Sequence, residues 1–276
     1  MSPGGQRRRG LREVSEKTVE EQVLYVEDEA VAVVTLDREE KLNAMNTQIV
    51  RRLTELFDRI DQAYHIRAAV LTGKGRAFVA GADIGEYSEQ SFDEFSEYQA
   101  RGRRMYEGIE LNRKPFIAAV NGLALGGGFE LVLACDLVVA SREAEMGLPE
   151  IRLGLLPGGG GTQKLARIVG RNRAKEFLMT GRNMTAEEGY RLGVVNKMVE
   201  PDVLLEEALD LAQRLARRAP YAVREAKRLV NQGGESHIDV ALSFEQATLS
   251  NLYQTEDARE GIRAFVEKRK PNFRGR

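Results

Sequence analysis

Apolar residues recur along this chain with two periods, and the change from one to the other divides it. Val23 to Val26 and Ala30 to Leu36 are rich in β-branched residues around the polar break Glu27-Asp28-Glu29, which predicts a hairpin. Asp37 to Asn46 is polar and reads as a loop. Asn46 or Thr47 then caps a helix whose apolar positions Ile49, Leu53, Leu56, Phe57 and Ile60 lie at helical spacing. Ala68 to Thr72 predicts a short strand, and Gly75 to Asp83 a second strand running into a tight turn. Ser91 with Glu94 forms a capping-box pattern for a helix towards Leu111. Phe116 to Val120 predicts a buried strand, followed by the run Gly126-Gly127-Gly128, a helix through about Ala134 and a strand at Leu137 to Ala140. Helices follow the second run, Gly158 to Gly161, as far as Met179. Thr185 and Glu188 repeat the capping-box pattern, Gly193 closes that helix, and Val194 to Val199 reads as the last strand.

From Pro201 onward the pattern is helical only, in four segments: Asp202 to Arg217, Tyr221 to Asn231, Ile238 to Leu252 and Asp257 to Lys268. Three regions follow: a tail at 1–20, an α/β core at 21–200 and a helical region at 201–276. The order strand, glycine-rich turn, helix occurs at 68–110 and again at 116–134. The start of the chain holds Arg7, Arg8, Arg9 and Arg12 without an apolar segment. That is no secretory signal; it reads as a solvated tail, with a short transit peptide as the alternative.

Composition narrows the function. The 276 residues are 42% hydrophobic with net charge −1, enough for one large core and without the basic bias of a nucleic-acid binder. No apolar run is long enough to span a membrane. One cysteine, Cys135, leaves no internal disulfide and suits a reducing compartment, so a cytoplasmic location is expected. His65 and His237 are far apart, with no ligand spacing around them, so no metal is expected and both read as surface residues. The glycine runs match neither GxxxxGK[ST] nor GxGxxG, and no GxSxG elbow is present. Asp136 reads as structural at a strand edge, and the basic run at Lys268 as a solvated helix end or a phosphate contact.

The candidate chemistry lies between the two glycine runs. A glycine turn that follows a strand and opens a helix presents N–H groups without internal partners at the positive end of the helix dipole. Such a turn holds a phosphate or an oxygen that gains charge during reaction, although turns and close packing use glycine too. Gly81-Ala82-Asp83 offers further N–H groups, so two separate turns can surround one carbonyl oxygen. Glu130, within the first turn of its helix, either complements the dipole or faces the space in front of the turn. Glu150, among the apolar residues of MGLPEIRLGLL, is either turned outward or held near neutral, as burial raises a carboxyl pKa.

At these residues the sequence resembles the crotonase, or enoyl-CoA hydratase, superfamily from about Val23 to Phe273. The segments that carry the likeness are LNAMN (42–46), AFVAGADI (77–84), NGLALGGGFELVLACDLVVAS (121–141), GLPEIRLGLLPGGGGTQKLAR (147–167) and AFVEKRKPNF (264–273). The resemblance implies a ClpP-like spiral of strand-strand-helix units, followed at 201–276 by a helical trimerisation region. It implies a trimer or a dimer of trimers. It implies an acyl-CoA thioester substrate with no bound cofactor, metal, nucleic-acid or membrane partner, and an oxyanion hole at the N–H groups of Ala82 and Gly127. The two hydratase glutamates match Glu130 and Glu150, with water adding to a 2-trans-enoyl-CoA. Ala82, Asp83, Ile84, Gly85 and Gly127 fall where the family binds substrate. Gly85 departs from the lysine that related hydratases often carry, and Lys268 matches a residue that reaches CoA phosphate from the same or a neighbouring subunit. Other activities of the superfamily remain alternatives: double-bond isomerisation, acyl-CoA hydrolysis, or a non-catalytic assembly or RNA-binding role.

Overall fold

The computed structural model describes residues 17–276; the arginine-rich start, Arg7 to Arg12, lies outside the described residues. A short helix, α1 (Val19–Gln22), opens them inside the stretch read as a tail. It is capped by Thr18 and leads into the hairpin β1 (Val23–Asp28) and β2 (Val31–Leu36), paired antiparallel with Val26 opposite Val33. A polar loop holding one 3-10 turn (Glu39–Lys41) reaches Asn46. The Asn46 side chain accepts from Ile49 N and caps α2 (Thr47–Gln62). All five apolar positions expected on its inner face are buried.

Three units of one design follow. In the first, β3 (Ala68–Gly73) joins a large sheet and β4 (Ala77–Val79) a small one, before helices α3 (Ile84–Tyr87) and α4 (Phe92–Glu110). The expected long strand from Gly75 to Asp83 is thus three residues only. Beyond Val79 the backbone turns to meet the loop before α2, with Ala80 N donating to Leu42 O at 3.0 Å. The Ser91 and Glu94 capping box forms in both directions. In the second unit, β5 (Phe116–Val120) and β6 (Leu123–Leu125) lead to α5 (Gly127–Ala134). In the third, β7 (Leu137–Ser141) and β8 (Glu145–Gly147) lead through a 3-10 turn (Pro149–Leu153) to α6 (Gly161–Val169).

The rest of the core is α7 (Arg171–Thr180), β9 (Met184–Thr185), α8 (Ala186–Leu192) and β10 (Lys197–Val199). Thr185 caps α8 as expected, but the Glu188 carboxylate does not return to the cap because Arg182 holds both its oxygens. The last strand is shorter than the pattern suggested. Val194 N and Val195 N both donate to Gly189 O and close α8 instead of extending β10.

The large sheet runs β1-β2-β3-β5-β7-β10, parallel after the hairpin, and the small sheet runs β4-β6-β8-β9. Buried on both faces, β5 reads as an unbroken apolar run, as central parallel strands do. One face of the large sheet, with Val70, Ile117, Ala119 and Val139, packs on α9 (Leu204–Ala216) through Leu204, Ala208 and Ala212. The other face, with Leu71, Ala118 and Val120, packs under α2, α4 and α5. The remaining helices are α10 (Pro220–Gly233), α11 (Ile238–Tyr253) and α12 (Glu256–Val266). Their inward faces are sparse: α10 buries no residue, and α11 only Thr248. Lys268 lies beyond the end of α12, with φ +55°.

Candidate active site

The three units place their glycine turns at one end of the small sheet. At the first, Met45 N donates to Gly81 O (2.9 Å) and Asp83 N to Met45 O (2.8 Å). This bridge passes over Ala82 and leaves its N–H without a partner among the described residues. At the second, Gly126 N donates to Gly147 O (2.8 Å), and Gly127 begins α5, where an N–H has no carbonyl behind it. Gly126 has φ 51° and ψ −125°, a conformation that a side chain resists. The two turns touch, since a Cβ on Gly126 would lie 3.8 Å from Gly81 Cα. The N–H groups of Ala82 and Gly127 therefore border one space.

Glu130 stands one turn into α5, 3% exposed among Phe129, Leu131 and Val132. Its Oε1 accepts Gly159 N (2.7 Å) and Gly161 N (2.8 Å) from the second glycine run. Its Oε2 takes no hydrogen bond among the described residues. Burial raises the Glu130 pKa, and these two N–H donors and the charge of Lys164 oppose the rise. Glu150 sits in the 3-10 turn after Pro149. Its Oε1 approaches the Gly126 turn, 3.0 Å from where a Gly126 Cβ would stand, and its Oε2 is buried without a partner. Burial pushes this carboxyl up to about 7, with the Glu130 charge adding to the rise.

Both carboxyls line one cavity of about 630 Å³ together with Ala82, Gly127 and Ile84. Its apolar wall includes Met45, Phe95, Met105, Leu153, Leu155 and Leu156. Two carboxyls in different surroundings, beside two free backbone donors in an apolar cleft, can move a proton while holding a carbonyl oxygen. Of the other expected site residues, Gly85 and Asp83 do not border the cavity, and Asp83 Oδ2 instead pairs with Arg38 (2.8 Å). Lys268 is exposed and outside its own chain's cavity.

Several contributors were not foreseen. Tyr106 donates its hydroxyl to Gly127 O (3.1 Å), Lys164 donates to Gly159 O (3.0 Å), and the Gly159 and Gly161 N–H groups hold Glu130. The one available signal was Tyr106 on the buried stripe Met105, Tyr106, Ile109, because a buried tyrosine hydroxyl seeks a partner. His65 pairs with Glu27 at the surface, and His237 caps α11. Asp136 ties Phe116 N to Lys227, a structural role. Among the described residues no group of three or more His, Cys, Asp or Glu is placed to hold a metal, and no helix is long and apolar enough to cross a membrane.

The chain has known relatives. A profile described as enoyl-CoA hydratase/isomerase matches residues 26–276, so the chain belongs to that family, within the crotonase superfamily. It is 41% identical to the short-chain-enoyl-CoA hydratase of Clostridium acetobutylicum, over 90% of this chain and 95% of that one. It is 39% identical to the crotonyl-CoA hydratase of Syntrophomonas wolfei, over 92% and 98%. The crystal structure of an enoyl-CoA hydratase from Bacillus anthracis superposes with a TM-score of 0.90 at 35% identity, covering 92% of this chain and all of that one. The expected crotonase fold is borne out.

Proposed function

We propose that this chain is an enoyl-CoA hydratase, adding water in syn fashion across the double bond of a 2-trans-enoyl-CoA to give 3-hydroxyacyl-CoA. The thioester oxygen accepts from the N–H groups of Ala82 and Gly127, which polarise the enone and stabilise the enolate-like charge. One water sits between Glu130 and Glu150. Glu130 takes a proton from it as oxygen bonds to Cβ, and Glu150 gives its proton to Cα. The pair thus carries a single proton throughout. The observation that carries this reading is the contrast between the carboxyls. Glu130 is held by two N–H donors with one oxygen left open, while Glu150 has its Oε2 buried without a partner and its carboxyl pushed up to about 7.

Coenzyme A belongs to the substrate, and no step needs a metal or a resident cofactor. The apolar residues that α11 leaves outside, Leu242, Phe244, Leu249 and Tyr253, support self-association through region 201–276 as a trimer or a dimer of trimers. Lys268 would then meet CoA phosphate across a subunit boundary. A cytoplasmic site of action fits the single cysteine.

The test is hydration of crotonyl-CoA, followed by loss of the enone absorbance, in Glu130→Gln and Glu150→Gln. Each variant should fold and lose at least ~10²-fold in turnover. Near wild-type turnover in either one overturns the two-carboxylate mechanism. A wild type that only moves a 3-enoyl double bond, with no hydroxyacyl product, is an isomerase.

A further inference from the structure

The loop that grips Glu130 is itself held by side chains that reach it from α4 and α6. Tyr106 and Glu110 lie one turn apart on α4 and so share a face. Lys164, on α6, extends to that face. Its ammonium donates to Gly159 O (3.0 Å), pairs with Glu110 Oε1 and lies 5.6 Å from the centroid of the Tyr106 ring. Gly159 is also a donor to Glu130 (2.7 Å), and Tyr106 also binds Gly127 O (3.1 Å). Neither Lys164 nor Glu110 borders the cavity. The pair is largely shielded from water, with side chains 21% and 30% exposed, and it holds the ammonium against the Gly159 carbonyl.

We propose that Lys164 is a positioning residue: braced by Glu110 and the Tyr106 ring, it clamps the Gly159 carbonyl and thereby sets the N–H groups that orient Glu130. Its charge adds a second effect. The titratable groups facing Glu130 are Lys164 from α6, Tyr106 from α4 and Glu150 from the turn after Pro149. Lys164 is the one cation among them, so it favours the ionised carboxylate that a base requires. Glu110 anchors the lysine and offsets part of its charge. This inference rests on the hydratase reading for its kinetic expression, but not for its structural one.

The experiment uses Lys164→Met, Lys164→Arg and Glu110→Gln in the full chain. It reads crotonyl-CoA hydration against pH, and the titration of the Glu130 carboxyl by carbon NMR, with the signal assigned by its loss in Glu130→Gln. Lys164→Met should lower kcat by ~10-fold or more, as a small misplacement of a catalytic group does, with KM changed less than ~3-fold. It should also move the acid limb of the profile and the NMR midpoint upward. Lys164→Arg should recover most of the turnover, and Glu110→Gln should show a smaller fall in kcat. An unchanged kcat and acid limb in Lys164→Met overturns the proposal, as does Lys164→Arg faring no better than methionine. If Lys164→Met does not fold, Glu110→Gln decides, and wild-type kcat there overturns it. If the wild type hydrates no enoyl-CoA, the functional reading fails on its own. The NMR midpoint then judges the clamp: a rise in Lys164→Met supports it and no rise overturns it.

Discussion

The two glycine-rich turns are alike in sequence and differ in where their N–H groups point. Each opens a helix, α5 at Gly127 and α6 at Gly161, so each carries orphan donors at the positive end of a dipole. The first turn leaves Gly127 N–H facing an open cavity, whereas the second gives Gly159 and Gly161 N–H to Glu130. The carboxylates are exchanged between them. Glu130 rides on the helix that the first turn opens but is bound by the second turn, and Glu150 precedes the second turn but lies against the first. One local device thus serves two ends, a substrate oxygen in one case and a buried base in the other. What surrounds the turn decides which.

The largest effect should come from deleting a donor of the first turn. A backbone ester in place of the Gly127 amide, introduced as glycolate, removes the N–H and leaves the side chains intact. Turnover on crotonyl-CoA should fall ~10²–10³-fold, the usual loss for one oxyanion donor. The same replacement at Ala82, introduced as lactate, should cost as much. Full activity in either ester would mean that this turn holds no developing charge, and the contrast with the second turn would vanish.

The second turn should respond less, and through Glu130. A Cβ on Gly159 would stand 2.1 Å from Tyr106 Cε2, so Gly159→Ala must push the ring or the loop aside. Overpacking of this kind costs about 1–3 kcal/mol of stability. A displacement well below 1 Å at Glu130 should cost ~10-fold in kcat, since a misplacement of about 1 Å can cost ~10²-fold. The readouts are thermal unfolding and steady-state rates on crotonyl-CoA. A fall in stability with kcat untouched would show that the second turn packs the protein without orienting the base.

These placements were only partly legible in the sequence. The α2 stripe, the run of β5 and the caps at Asn46, Ser91 and Thr185 are local patterns, and each formed. Both glycine turns and both glutamates could be singled out, and motif likeness tied them to one site. The third unit was missed because β8 is three residues long and pairs with β6 and β9, which lie far away in the chain. A strand that short carries no period, and its stability comes from its neighbours. Tyr106 and Lys164 were missed for a related reason. Their partners are the carbonyls of Gly127 and Gly159, which every residue possesses, and only the fold selects among them.

The smallest expected effect is also the sharpest on Glu150. Its carboxyl, raised by burial to about 7, should be the proton donor, so hydration should decline as pH rises through about 7. The sign for stability follows from linkage. Where the folded pKa exceeds the unfolded one, the native state binds more protons between the two values, and stability falls as pH rises across that window. The window here runs from the ordinary carboxylate value of 4.5 to about 7. Glutamine in this position does not titrate, so Glu150→Gln should unfold at a higher temperature than wild type at pH 8, with the advantage shrinking towards pH 4. The site is partly open to solvent, and after discounting for screening the gain is of order 1 kcal/mol, or about 2–4 °C for a chain in this size range. A wild type equally stable relative to Glu150→Gln at both pH values would mean that Glu150 titrates as an ordinary surface acid. The two carboxyls would then no longer differ in the way the mechanism requires.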